Sequence, residues 1–364
     1  MSAPSNSADP EVARRAVERT LAAYLSDRAS VEPDFTTEPM PGGASTRKFF
    51  RVRLGASESL VAMFVPLPSQ EIQKAAKQTI GIQSFVEVRQ LLADHGVPVP
   101  VLHLGSHEHN VLLVEDLGDD TLAQYLLRAP EKREDLYRGA VLDLARAQKR
   151  LGALPAHSIV RERAFDVDLL RWEIDHFREW ALAARDIVLS DEDRAVFERA
   201  RDHLAETISG LPRGGGHRDC QSRNIMVRDR TANGGDERPF LSWIDFQDAM
   251  LGPRVYDLVA LLTDSYQTFS REFVEARLLE YAREWGLESE IERITYEFDF
   301  VTVQRKLKDA GRFIFIERVN QNPNFLPFVE PTIAKARAAL RRVVTQGPLR
   351  DLEEMLDRVL GPSV

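Results

Sequence analysis

Cysteine is nearly absent. Cys220 is the only one in 364 residues, which excludes an intrachain disulfide and a zinc site built on cysteines. Long apolar runs are missing too: the stretch from Tyr256 to Leu262 is interrupted by Asp257 and falls far short of the ~18 residues that span a bilayer. No membrane segment is expected. The first ten residues lack the basic and then apolar regions of a secretory signal, and with so little cysteine a reducing cytoplasm is the expected location. Positive charge is in deficit, with 48 Lys and Arg against 57 Asp and Glu and a formal net charge of -9. That balance argues against a nucleic-acid binder, whose footprint is a basic face, and leaves small molecules as partners. Composition is otherwise that of a globular chain long enough for two cores, and it says nothing of the oligomeric state.

Periodicity divides the chain into two parts. Pro10 to Ser26 has helical spacing, with Asp9 placed to cap it and Pro10 in the first turn. Lys48 to Leu54 and Leu60 to Val65 read as a strand hairpin around the polar turn at Gly55 to Ser59. Gln78 to His95 reads as an amphipathic helix ended by Gly96, and Val97 to His103 and Val111 to Glu115 as two further strands. Beyond Asp116 the pattern is mostly helical, with long periodic segments such as Val167 to Ala184 and Ile291 to Ile316. The expectation is an α+β, bilobal chain: a helical extension over residues 1–30, a small lobe with an antiparallel sheet over 31–115, and a large helical lobe over 116–364. The glycine-bearing charged segment from Arg228 to Pro239 reads as a hairpin tip.

Chemistry concentrates between Gly214 and Asp257. His217-Arg218-Asp219 is followed five residues later by Asn224, and Asp245 comes at the end of the apolar strand Phe240 to Ile244. This is the residue order of a phosphoryl-transfer site, a base and then two metal ligands. Such transfer needs alignment and charge neutralisation more than covalent help. Asp219 is the expected base, and Asn224 and Asp245 offer the hard oxygen ligands that Mg²⁺ prefers. His217 is expected to pack and hydrogen-bond within the loop, and Cys220 to be a buried thiol.

These residues resemble the aminoglycoside phosphotransferase and choline kinase branch of the protein-kinase-like fold. Within it, Ile244 to Ala249 and Leu251 to Val259 are most similar to the bacterial anomeric sugar kinases that phosphorylate N-acetylmuramic acid and N-acetylglucosamine. Gly42 to Val52, Val114 to Asp119 and Gln304 to Lys308 share the likeness. The resemblance implies ATP and Mg²⁺ as cofactors and a nucleotide loop that includes Gly42, Gly43, Ser45, Thr46, Arg47 and Lys48. It implies a hinge at Glu115 to Leu117 that meets the adenine, and an Asp257 that braces the catalytic loop besides capping a helix. One departure stands out. The strand Val61-Ala62-Met63-Phe64 lacks the lysine that usually holds the α- and β-phosphates, so Lys48 or Arg51 is expected to supply that charge, and Glu87 is the candidate for the lysine's helix partner.

The acceptor hydroxyl must lie within hydrogen-bond reach of Asp219. Glu173, His176, Asp248, Arg305 and Lys308 are the candidate acceptor contacts, with Trp172, Trp180 or Trp243 as a stacking face. A sugar carboxylate calls for Arg305 or Lys306. The resemblance favours an amino sugar. The competing expectations are an aminoglycoside or choline phosphotransferase and, because of the missing lysine, a catalytically silent nucleotide-binding module.

Overall fold

Apolar alternation in the first third of the chain builds a sheet, and the helix before it packs onto one sheet face. The computed structural model describes residues 9–26, 34–41, 47–55, 58–66, 81–228, 240–344 and 347–362. The chain divides into two compact units, residues 1–120 with 226–248, and residues 121–225 with 249–364. The secondary structure is α+β.

In the first unit α1 (Pro10–Ser26) precedes β1 (Phe35–Pro39), β2 (Lys48–Leu54) and β3 (Glu58–Phe64). Then come α2 (Ile82–Asp94), β4 (Leu102–Ser106) and β5 (Val111–Glu115). The strands form one sheet in the order β1-β2-β3-β5-β4, antiparallel throughout. Period-two spacing puts Phe50 and Val52, Leu60, Ala62 and Phe64, and Val111 and Leu113 on one face, where they meet Ala13, Val17, Leu21 and Tyr24 of α1. Val17 and Leu21 are fully buried, each contributing about 1.5–3 kcal/mol, so the N-terminal helix is part of this core and not an appendage. Asp9 starts it, accepting the Glu11 N–H at 2.8 Å. Residues 78–80 of the expected second helix lie outside the described residues. The expected strand at Val97 to His103 is displaced to β4 because Pro98 and Pro100 have no N–H for a ladder. Their carbonyls instead accept from Trp243 N–H (2.8 Å) and Arg89 Nε (3.0 Å).

The second unit opens with α3 (Leu122–Arg128), held by a reciprocal capping box between Thr121 and Gln124. It continues through α4 (Arg133–Arg150), α5 (Ile159–Glu162), α6 (Val167–His176) and α7 (Asp191–Ser209). The expected long helix after Val167 changes at Phe177–Leu182 into a π-helical turn. β6 (Arg213–Gly216) leads into the His217 loop. β7 (Ile225–Arg228) and β8 (Phe240–Trp243) pair with each other, and from Met226 onward this hairpin belongs to the first unit. Backbone bonds explain that assignment: Val227 N–H donates to Asp120 O and Trp243 N–H to Pro98 O, both at 2.8 Å. The expected hairpin tip, residues 229–239, lies outside the described residues. β9 (Met250–Pro253) returns to the second unit and pairs antiparallel with β6, Gly216 opposite Met250. Then follow α8 (Tyr256–Leu262), α9 (Arg271–Trp285), α10 (Ile291–Asn320), α11 (Val329–Val343) and α12 (Pro348–Leu360).

Candidate active site

The candidate catalytic loop begins where β6 ends. His217 N–H donates to Asp257 Oδ2 at 2.7 Å, and a Cβ on Gly216 would sit 2.5 Å from that same oxygen, so a residue without a side chain is required there. Asp257 does not cap α8, whose N-cap is Val255; it lies inside the first turn and holds the loop. His217 is fully buried, and its Nδ1 accepts the Asp219 N–H at 3.3 Å. Arg218 has φ 76, a left-handed conformation costing a non-glycine residue about 1–3 kcal/mol unless its surroundings impose it. They do: its guanidinium pairs with buried Glu173 at 3.2 Å, and its carbonyl accepts from Arg305 Nη1 at 2.8 Å.

The Asp219 carboxylate is thereby presented from a fixed backbone. Arg305 Nη2 lies 3.0 Å from its Oδ1, and the side chains of Arg305 and Asp219 are 0% and 36% exposed. The guanidinium also stacks 4.7 Å over the Tyr256 ring. Burial alone would raise the Asp219 pKa, but the positive charges of Arg305, Lys308 and Arg218 outweigh it and hold the carboxyl at about 2. Asp219 is therefore an anion at neutral pH, able to accept a proton or orient a hydroxyl. Beyond it, Asp264 accepts both the Ser222 N–H (2.9 Å) and the Ser222 hydroxyl (2.5 Å). Asn224 Nδ2 donates to the Asp219 carbonyl at 2.9 Å, which turns the amide oxygen away from that bond. Cys220 is buried, and burial pushes its thiol well above its ordinary range, so it is no nucleophile.

Asp245, in the first unit, also has a left-handed backbone, φ 61. Next to it Phe246 is fully buried against Phe85, with ring centroids 4.9 Å apart, and the Gln247 carbonyl accepts from Ser84 Oγ at 2.8 Å. Arg47 Nη1 contacts Asp245 Oδ1 at 2.7 Å, and Asp248 lies 3.9 Å from Arg47 Nη2. Gln247 Nε2 donates to both Asp245 and Asp248. Mg²⁺ is commonly held by one or two oxygen side chains together with substrate phosphates, and the Asn224 amide and the Asp245 carboxylate, each taken within its own unit, are oxygen donors of that kind. Asn224 has an amide oxygen turned from its own hydrogen bond, and the Asp245 carboxylate already accommodates a cation. Among the described residues there is no cluster of three or more His, Cys, Asp or Glu, and such a nucleotide-linked metal needs none.

The remaining expected site residues fall in several places. Gly42, Gly43, Ser45 and Thr46 lie outside the described residues. Lys48 opens β2 opposite Phe64. Arg51, expected as a phosphate contact, is instead bound to Asp116 at 2.8 Å and Asp119 at 2.8 Å, because β2 points it at those carboxylates. Glu87 is exposed and bonded to Gln83. Glu115 accepts from Arg228 Nη1 at 2.6 Å, and Leu117 is buried. Glu173 and Arg305, expected to face the acceptor, are 1% and 0% exposed. Glu173 instead pairs with Arg218 and Arg305 with Asp219. Lys306 is likewise buried, 2.9 Å from Asp309. Trp243 is buried, whereas Trp172 is 56% exposed. Asp264 was not anticipated; an acidic residue seven positions after Asp257, beyond an apolar run, is the signal for it.

Comparison with known proteins gives the family. The chain is 31% identical over 326 residues to the N-acetylmuramate/N-acetylglucosamine kinase of Pseudomonas aeruginosa, covering 87% of each chain. It is 28% identical over 330 residues to the enzyme of the same name from Neisseria meningitidis, covering 87% of this chain and 90% of the other. In structure it is similar to an ethanolamine kinase of Plasmodium vivax, with TM-score 0.57 at 13% identity over 88% of this chain and 87% of the other. It is similar too to a GDP complex of aminoglycoside 2'-phosphotransferase-IIIa, with TM-score 0.56 at 16% identity over 88% and 99%. These last two likenesses fix the fold as protein-kinase-like. Residues 36–292 match the phosphotransferase enzyme family, and the chain belongs to that family, as a phosphotransferase that acts on a hydroxyl group.

Proposed function

We propose that the protein is an ATP- and Mg²⁺-dependent kinase that transfers the γ-phosphoryl group to the anomeric hydroxyl of an amino sugar, N-acetylmuramate or N-acetylglucosamine, in the cytoplasm and in the service of cell-wall recycling. The observation that carries the reading is Asp219, an anion fixed by Arg305 on a braced loop, in a chain whose relatives bear that kinase name. Asp219 accepts a hydrogen bond from the attacking hydroxyl and draws its proton as the new O–P bond forms and the bond from the γ-phosphorus to the β–γ bridging oxygen breaks, with ADP as the leaving group. Asn224 and Asp245 are the metal ligands, and Mg²⁺ when bound neutralises charge on the phosphates. Glu115 and Leu117 contribute backbone to the adenine, and the segment from Gly42 to Lys48 covers the phosphates. Asp248 is the remaining acidic acceptor contact. Arg47, beside the candidate metal ligand, is the side chain best placed to stand in for the missing strand lysine.

The test is a coupled ADP-release assay over amino sugars, aminoglycosides and choline, with phosphorus NMR of any product. Turnover of N-acetylmuramate or N-acetylglucosamine to an anomeric phosphate is expected. Turnover confined to an aminoglycoside or to choline would overturn the choice of acceptor.

A further inference from the structure

Two turns past Arg305 on α10 stands Arg312, about 10 Å further along the helix axis and on the same helical face. Its neighbour Gly311 is fixed by packing. A Cβ there would collide with the His176 carbonyl and the Phe177 backbone nitrogen, so α10 touches the end of α6 backbone to backbone. That contact draws an aromatic group together around Arg312. Its guanidinium lies 4.7 Å over the Phe315 ring. Phe315 packs on His176 at 6.3 Å and edge-on with Trp180 at 5.0 Å, and His176 packs edge-on with Trp172 at 4.4 Å. Glu173, one turn before His176 on α6, is the partner of Arg218, so this group borders the residue next to Asp219.

The charges of α10 divide sharply. Arg305, Lys306 and Lys308 are each within 4 Å of Asp219 or Asp309. Arg312 is exposed and, among the described residues, has no carboxylate within ion-pair distance. Partial burial lowers its pKa from the ordinary arginine value, and the charges acting on it are those of Asp219 and Arg218. A cation with no carboxylate partner, joined through Phe315 and His176 to the exposed Trp172 indole, is suited to an anionic group carried by an otherwise neutral ring.

Resting on the function proposed above, we infer that Arg312 is a specificity-determining residue. Its guanidinium takes the carboxylate of an acid-bearing amino sugar, and Trp172 supplies the apolar wall for the ring. The role expected of Arg305 or Lys306 thus passes to the one arginine of this helix face that solvent reaches.

The experiment measures kcat/KM for N-acetylmuramate, which carries a carboxylate, and for N-acetylglucosamine, which does not, in the wild type, Arg312→Gln, Arg312→Lys and Trp172→Ala. A charge-assisted hydrogen bond of ordinary strength predicts that Arg312→Gln lowers the ratio of the two values by roughly 10–100-fold. Arg312→Lys should restore part of the ratio, and Trp172→Ala should weaken both sugars together. The ratio is an internal control for folding, since both sugars meet the same protein. A ratio unchanged in Arg312→Gln, with the wild type active on both sugars, overturns the Arg312 assignment and leaves the kinase reading intact. A wild type active on neither sugar overturns both.

Discussion

Asp219 and Asp245 each meet an arginine, and the two arginines are of opposite kinds. Arg305 is wholly buried, stacks on Tyr256 and also holds the Arg218 carbonyl. Arg47 lies just before β2, 17% exposed, on a carboxylate that is 43% exposed. An exposed pair contributes about 0–1 kcal/mol, whereas removing one partner of a buried pair costs about 3–5 kcal/mol. The first arginine is therefore built into the second unit, and the second is exchangeable for another cation. A base needs a fixed position and a constant charge; a metal ligand needs to release whatever cation it holds when the metal arrives.

The sharpest way to break the comparison is to neutralise Asp219 itself. Asp219→Asn should lower kcat by about 10²–10⁴-fold, read by steady-state ADP release, and a variant with wild-type kcat would refute the role given to Asp219. Next is Arg305→Met, which keeps the bulk and removes the charge. Because Asp219 is 36% exposed, the loss should be about 2–3 kcal/mol, below the range for a fully buried pair, and denaturant titration measures it. The sign of its pH dependence follows from the depressed pKa. The ion pair stabilises in full above the ordinary carboxylate value of 3.8 and is lost as the pH falls through about 2, so the gap between wild type and Arg305→Met should be constant at neutral pH and close over that acid window. A gap that widens on acidification would contradict the pairing. The smallest effect is expected of Arg47→Ala, at most about 1 kcal/mol of stability, accompanied by a higher apparent KM for ATP. Unchanged ATP kinetics would remove Arg47 as the substitute for the strand lysine.

Sequence made the loop legible because its chemistry is local. Asp219, Asn224 and their spacing sit on one short segment, and the structure joins them through the Asp219 carbonyl. The boundaries of α1, β2 and β5 were legible as well, from periodicity and from turn signals such as the polar stretch Gly55 to Ser59. What escaped is long-range. The partner of Asp219 is 86 residues away, and α10 looks like a surface helix because its charges are many, yet Arg305, Lys306 and Asp309 are buried, Lys306 on Asp309 and Arg305 on Asp219. Proline placement moved β4, and backbone contact at Gly311 accompanies the π-helical turn after α6. No propensity carries such information. Asp257 divides the two: the cap that an aspartate at a helix start suggests is not made, while the brace that the resemblance implied takes the form of a bond from the His217 N–H.

The discontinuity of the first unit bears on biosynthesis. Its sheet and the α1 face are complete once Glu115 has emerged, but the segment 226–248 that also belongs to it is made only after residues 121–225. The nascent first unit must therefore wait, with Pro98 and Asp120 still lacking their backbone partners, while a large part of the second unit is translated. Asp245 is among the last of its residues to be delivered, so the growing chain acquires Asp219, the proposed base, before it acquires the carboxylate proposed to hold the metal.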